Sequence, residues 1–174
     1  MNHQLRRTDR EMSAADTWHL LETGYVGRLG TAGPDGWPYV VPKMYVAYDG
    51  CVYFHSTTAR GHTRKDLEAN PKVCFEVDQP GPVFPTGTHS QCETSVGFES
   101  VILFGTCTLV EEEAERITCL ERLMTKYADP SWERPAVWNS LDATAVFKIT
   151  VERITGKRRP VTVAEQWRHQ FPAQ

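Results

Sequence analysis

The chain has 174 residues, of which 24% are charged and 40% hydrophobic, and its formal net charge is −3. These values exclude a disordered chain, and a slightly acidic balance excludes the broad basic face that duplex nucleic acid requires, so no nucleic-acid partner is expected. A chain of this length buries about two-thirds of its unfolded surface, so a single domain is expected over residues 1–174, with its core at about 13–156 and an extension at 157–174.

In chain order, residues 13–23 predict a short amphipathic helix. Ser13 is a capping residue, Trp18, Leu20 and Leu21 lie toward one side, and Gly24 stops it. From Tyr25 the hydrophobic period shortens to that of strands. The turn sequences Pro34-Asp35-Gly36 and Asp49-Gly50 divide this part into an antiparallel meander of three strands, at 25–31, 37–48 and 51–56. Pro38 suits a strand start, and Pro42 implies an edge or a bulge. Residues 60–69 predict a helix closed by Asn70-Pro71, because the residue before proline avoids the α region. A strand follows at 72–78. Residues 79–95 carry three prolines and two glycines without periodicity and read as a long loop, a candidate lid. Residues 98–110 predict a strand bent at Gly105. Residues 111–128 predict a helix with glutamates at its positive end and an apolar stripe of Ile117, Leu120, Leu123, Met124 and Tyr127. A last strand is expected at 143–154, and beyond the basic run Lys157-Arg158-Arg159 a terminal helix at 163–171. Six strands, mostly contiguous, with three or four helices predict a mainly β (α+β) fold: a six-stranded antiparallel barrel with peripheral helices.

The N-terminal residues lack the apolar core of a signal peptide, and no apolar run approaches the roughly 20 residues of a membrane span. A cytoplasmic protein with no membrane partner is therefore expected. Five cysteines, Cys51, Cys74, Cys92, Cys107 and Cys119, show no metal-binding spacing and are expected as free thiols. The six histidines likewise fall at no metal-ligand spacing, and no metal is expected. There is no G-x-G-x-x-G after a strand, no phosphate-binding G-x-x-x-x-G-K-[ST] and no G-x-S-x-G elbow.

One stretch does point to chemistry. Ser56, Thr57 and Thr58 end a strand, and Arg60, His62, Arg64 and Lys65 cluster at the start of the next helix. Hydroxyls, helix N–H groups and cations are what a phosphate needs together. The other reading is a capped, solvated basic helix. On the strand before it, His55 shares a face with Cys51 and Tyr53, opposite Val52 and Phe54.

The motifs G-R-L-G-T (27–31), D-G-W-P-Y-V-V-P-K-M-Y-V (35–46), D-G-C-V-Y-F-H-S (49–56), N-P-K-V-C-F-E-V-D (70–78), F-E-S-V-I-L-F-G-T (98–106) and F-K-I-T-V-E-R-I-T-G-K (147–157) occur in that order. Together they resemble the flavin-binding split-barrel superfamily that includes the pyridoxamine 5′-phosphate oxidases, and within it the nitroimidazole-reductase (Nim-like) group most. The resemblance implies a six-stranded antiparallel split β-barrel and a homodimer with FMN at its interface. It implies that Val41, Pro42, Lys43 and Met44 lie along the flavin ring, that residues 55–65, including His55, Ser56, Thr57, Arg60, His62, Arg64 and Lys65, hold the phosphate end, and that Phe98 and Ser100 help to wall the site. Trp37 and Tyr45 are aromatic residues expected either to cover the ring or to pack in the core. Many relatives place a lysine two residues after the loop glycine; here Thr63 stands there, which leaves Arg60, Arg64 and Lys65 as alternative phosphate cations. The resemblance also implies that His55 faces the flavin pocket, either as a catalytic proton donor or as a contact residue.

The expected function is that of an FMN-dependent oxidoreductase passing electrons from NADH or NADPH to a small-molecule acceptor such as a nitro-aromatic. Two alternatives remain: a pyridoxamine or pyridoxine phosphate oxidase, with Lys157, Arg158 and Arg159 as a second phosphate clamp, and a non-catalytic flavin- or haem-binding protein with His55, His62 or His89 as an axial ligand.

Overall fold

In a computed structural model, which describes residues 5–86, 94–133, 138 and 141–160, the elements start and stop at the cap and turn residues. Helix α1 (Ala14–Thr23) begins where the Ser13 hydroxyl accepts the Asp16 N–H at 3.1 Å, and it ends where the Gly24 N–H bonds the Leu20 carbonyl. Then come β1 (Gly27–Ala32), β2 (Pro38–Lys43), β3 (Tyr45–Tyr48), β4 (Cys51–Thr57), α2 (His62–Ala69), β5 (Lys72–Pro85), β6 (Thr94–Leu109), α3 (Glu113–Tyr127) and β7 (Thr144–Arg159). The strands form one sheet in the order β2-β1-β5-β6-β7-β4-β3. This is the antiparallel split-barrel fold the sequence predicts.

The sheet has seven strands where the sequence suggests six, because the run 37–48 is two strands rather than one. It breaks at Met44, after which β2 pairs with β1 and β3 pairs with β4, so its two halves lie at opposite edges of the sheet. Tyr127 of α3 sits at the break. Its phenol oxygen accepts the Tyr45 N–H at 3.1 Å and lies 2.9 Å from the Tyr45 carbonyl, so the helix bonds the backbone at the break. The edge position of β2 agrees with Pro42, which has no N–H to give a ladder. Between β3 and β4, Asp49 and Gly50 both take positive φ (51° and 71°), the conformation a tight hairpin needs.

The stretch expected as a loop over 79–95 is largely strand: β5 runs on to Pro85 and β6 starts at Thr94. Residues 87–93, with His89 and Cys92, lie outside the described residues, as does the terminal helix expected at 163–171. Pro80, Pro82 and Pro85 are tolerated because β1 pairs with β5 only as far as Glu76, so the prolines fall where that side of the strand has no β1 ladder to complete. Strand β7 continues through Lys157, Arg158 and Arg159 instead of ending at 154.

The described residues fall into two compact units. One holds the residues up to 24, 77–102 and those from 155 onward; the other holds 25–76 and 103–154. In the first, α1 buries Thr17, Leu20 and Leu21, and the Met12 N–H bonds the Gly156 carbonyl at 3.0 Å. In the second, β4 is buried on both faces. Phe54 stacks on its cross-strand partner Phe147 with ring centres 5.2 Å apart, while Cys51 and Tyr53 pack on the other side with Leu120 and Leu123 of α3. Tyr53 donates to Glu115 at 2.8 Å and Lys148 donates to the same oxygen at 2.9 Å, which ties α3 to β4 and β7. Tyr45 is fully buried edge-on to Phe75, so it packs in the core, whereas Trp37 is 76% exposed. The four described cysteines are free thiols, buried or half-buried. Among the described residues no helix is long and apolar enough to cross a membrane.

At Gly105 β6 runs close against β7: a Cβ there would lie 2.2 Å from the Thr150 carbonyl oxygen. A carbonyl in a sheet ladder cannot move aside as a flexible side-chain end can. Gly105→Ala is therefore expected to cost about 1–3 kcal/mol of stability in urea denaturation, and an unchanged midpoint would show that the ladder yields there.

Candidate functional site

Antiparallel pairing fixes which way each residue of β4 points. His55 pairs with Val146 and Ser56 with Ala145, so the two neighbours face opposite sides of the sheet, and each side carries its own cavity.

On the Ser56 side is a small cavity of about 140 Å³ between the end of β4 and the start of α2. Ser56, Thr57, Gly61, His62, Thr63 and Arg64 line it, with Tyr39 and Lys43 of β2 opposite. Gly61 caps α2 without a side-chain bond, so the first N–H groups of the helix are open to this space, where the helix end carries partial positive charge. The cations are unequally placed. Arg64 donates to the Thr58 carbonyl at 2.9 Å and to Glu68 at 3.2 Å, which holds its guanidinium at the cavity. Arg60 is paired with Glu68 outside the cavity lining, and the two arginines, Arg60 first, hold the Glu68 carboxylate below its ordinary pKa. Lys65 is exposed and does not line the cavity. Lys43 lies 5.3 Å from the Phe54 ring centre, and burial pulls its amino group below the ordinary lysine range.

His62 is held from two sides. Its Nε2 is 3.5 Å from Asp66, a carboxylate only 4% exposed that also accepts the Thr31 hydroxyl at 2.7 Å. Its ring lies 4.4 Å from that of Tyr39. The sequence did not single out Tyr39, Thr63 or Phe147 at this cavity. The strand alternation that puts Tyr39 and Lys43 on one face of β2 was the available signal, but β2 had first to be separated from β3.

On the His55 side is a larger cavity of about 410 Å³, between β4 and α3. Met44, Leu120, Leu123, Met124, Trp132 and Trp138 are among its walls. His55 is accessible from it, yet burial, and then the charge of Lys43, push its imidazole below the ordinary histidine pKa. The structure thus separates His55 and Met44 from Ser56, Thr57, His62 and Arg64, which it brings together. Val41 is half-buried and Pro42 exposed on the edge strand β2.

Phe98 and Ser100 lie on β6 in the first unit, both half-buried. There Lys157 sits 5.6 Å from the Phe98 ring centre, Arg158 is paired with Asp16 and lies 3.7 Å from Glu99, and Arg159 bonds Ser95 and lies over Phe84. All three basic residues proposed as a second phosphate clamp therefore already have partners within the protein.

A family model described as pyridoxamine 5′-phosphate oxidase matches residues 13–158. No curated protein matches the chain. Among solved structures it is similar to a candidate 5-nitroimidazole antibiotic resistance protein from Bacteroides thetaiotaomicron, at 21% identity and a TM-score of 0.71, over 85% of this chain and 86% of that one. It is similar to a flavocytochrome from Azotobacter vinelandii, at 22% identity and a TM-score of 0.78, over 99% and 80% of the two chains. A FAD-binding protein from Mesorhizobium loti shares 26% identity and a TM-score of 0.62, over 87% and 98%.

Because His55 takes up a proton less readily in the native protein than in the unfolded chain, acid favours unfolding at this residue. Its contribution is complete above about pH 6.5, the ordinary histidine value, and fades as the pH falls below that. An NMR titration is expected to put the His55 midpoint below the ordinary value, and Lys43→Met to raise it; a midpoint at or above about 6.5 contradicts the assignment.

Proposed function

Because this chain belongs to the pyridoxamine 5′-phosphate oxidase family, we propose that it is a flavin-dependent oxidoreductase that binds FMN, takes electrons from NADH or NADPH and passes them to a small acceptor such as a nitro-aromatic. The observation that carries the reading is the small cavity between β4 and α2, where the hydroxyls of Ser56, Thr57 and Thr63, the open end of a helix and Arg64 converge. At about 140 Å³ it is too small for a three-ring flavin, since pockets for ligands of that size run to about 300 Å³ or more. It suits the phosphate end alone, with the rest of the molecule outside it.

In this reading Ser56, Thr57 and Thr63 give hydroxyl hydrogen bonds to the phosphate, the first N–H groups of α2 donate along the helix axis, and Arg64 supplies a charge that its bond to Thr58 already orients. Arg64 takes the part that the lysine plays in relatives with that residue two positions after the loop glycine. Lys43, on the edge strand β2, presents a cation beside Phe54. Bound flavin would supply the electron-transfer chemistry, and the protein's own work is binding and orientation. The reading includes a homodimer, for which the exposed Trp37, Tyr39 and Val40 of the edge region offer an apolar surface.

The test is reconstitution of the full chain with FMN, FAD, riboflavin and haemin in parallel. FMN is expected to bind with flavin absorbance and quenched fluorescence, and more tightly than riboflavin. Arg64→Ala should weaken FMN about tenfold while leaving riboflavin nearly unchanged, as loss of one charged hydrogen bond to phosphate predicts. No flavin binding, or equal effects on FMN and riboflavin, would sink the proposal. Oxidation of NADH or NADPH dependent on both FMN and an added nitro-aromatic then checks the activity.

A further inference from the structure

We infer that the cavity between β4 and α3 is a second ligand site, for an uncharged planar aromatic molecule carrying an oxygen that accepts a hydrogen bond from His55. This site is separate from the phosphate cavity and does not depend on the flavin reading.

Its size is the first argument. About 410 Å³ falls within the range of small-molecule pockets, which are mostly apolar with a few placed polar groups. The walls fit that description: leucines of α3, the thioethers of Met44 and Met124, and the indoles of Trp132 and Trp138. Aromatic and thioether groups favour flat, polarisable partners, and methionine adapts to their outline.

The polar inventory narrows the class further. Among the described residues no acidic side chain lines the cavity, and the titratable groups that do are His55 and Tyr127. The Tyr127 phenol is already engaged with the backbone of Tyr45 and, at 2.8 Å, of Tyr25. No hydrogen bond joins the His55 ring to another described residue, and the ring lines the cavity. Among the described charged side chains, Lys43 on β2 acts on His55 electrostatically. Against the described walls an ion of either sign would be desolvated with no charged side chain in contact, at a cost of several kcal/mol. An uncharged molecule with one oxygen acceptor avoids that cost and satisfies His55.

Exposure at the mouth is the second, independent argument. Trp132 is 64% exposed and Met44 44% exposed, although both line the cavity. Large apolar side chains left open beside a pocket are what an apolar ligand covers.

The test uses menadione, an uncharged two-ring quinone, with the full chain in isothermal titration calorimetry, both before and after flavin is added. One saturable site is expected in both states, and the His55 ring resonances should move during the titration. Ala128→Trp, which fills the cavity from the end of α3, and His55→Phe, which removes the donor, should each weaken binding about tenfold; Ser56→Ala, on the other face of β4, should leave it unchanged. Circular dichroism confirms folding of each variant, and the resonance shifts need no variant at all. Three results would overturn the inference. The first is binding unaffected by both cavity variants with His55 resonances unmoved. The second is displacement of menadione by FMN, which assigns the cavity to the flavin. The third is a haemin Soret band lost in His55→Phe, which assigns it to haem. Failure of FMN to bind would sink the flavin proposal and leave this one standing.

Discussion

A strand buried on both faces can send alternate side chains into two different environments, and β4 is that strand. Cys51, Val52, Tyr53 and Phe54 are all buried, so neither face is free to turn toward solvent and the register with β7 cannot slip by one residue without exchanging them. The residues that follow inherit this alternation. Ser56 and Thr57 meet the start of α2, and His55 meets the walls of α3. Both cavities exist because the same backbone is pinned upstream of them.

Charge placement in the cavity between β4 and α2 depends on a second constraint, the acidic residues of α2. Glu68 is shared by Arg60 and Arg64, and Asp66 lies behind His62, tied to Thr31 of β1. A basic cluster in the sequence is therefore partly neutralised in space. What remains directed at the cavity is the helix end, the hydroxyls, Arg64 and Lys43. In the proposed flavin reading, the charge missing at Thr63 comes within the same helical turn from Arg64, which the Thr58 carbonyl holds in place.

Much of the fold is legible in local chemistry. Ser13 caps α1, Asp49-Gly50 turns the β3–β4 hairpin, Asn70-Pro71 stops α2, and the glutamates before α3 include its cap: the Glu112 side chain accepts the Glu115 N–H. Each signal acts over a few residues, so it needs no tertiary knowledge. The errors are of another kind. The run 37–48 has an unbroken strand pattern, and nothing within it reveals that Tyr127, more than eighty positions later, takes over the backbone at Tyr45. Prolines at 80, 82 and 85 argue for a loop until the pairing of β1 is known to end at Glu76. The site was half legible: Ser56, Thr57, His62 and Arg64 belong together, but Arg60, Lys65 and His55, adjacent in sequence, lie outside the group.

By itself the sequence determined most of the element types, the antiparallel split-barrel class and the stretch that lines the cavity between β4 and α2, because caps, turns and side-chain period are written in neighbouring residues. Only the tertiary structure decided that His55 and Ser56 serve different cavities and that Arg64, not Arg60, stays at the helix end. Those outcomes follow from the register of β4 against β7 and from the Thr58 carbonyl, which holds Arg64 at the cavity while Arg60 has, among the described residues, only Glu68, and both are set by residues that meet only when the chain is folded.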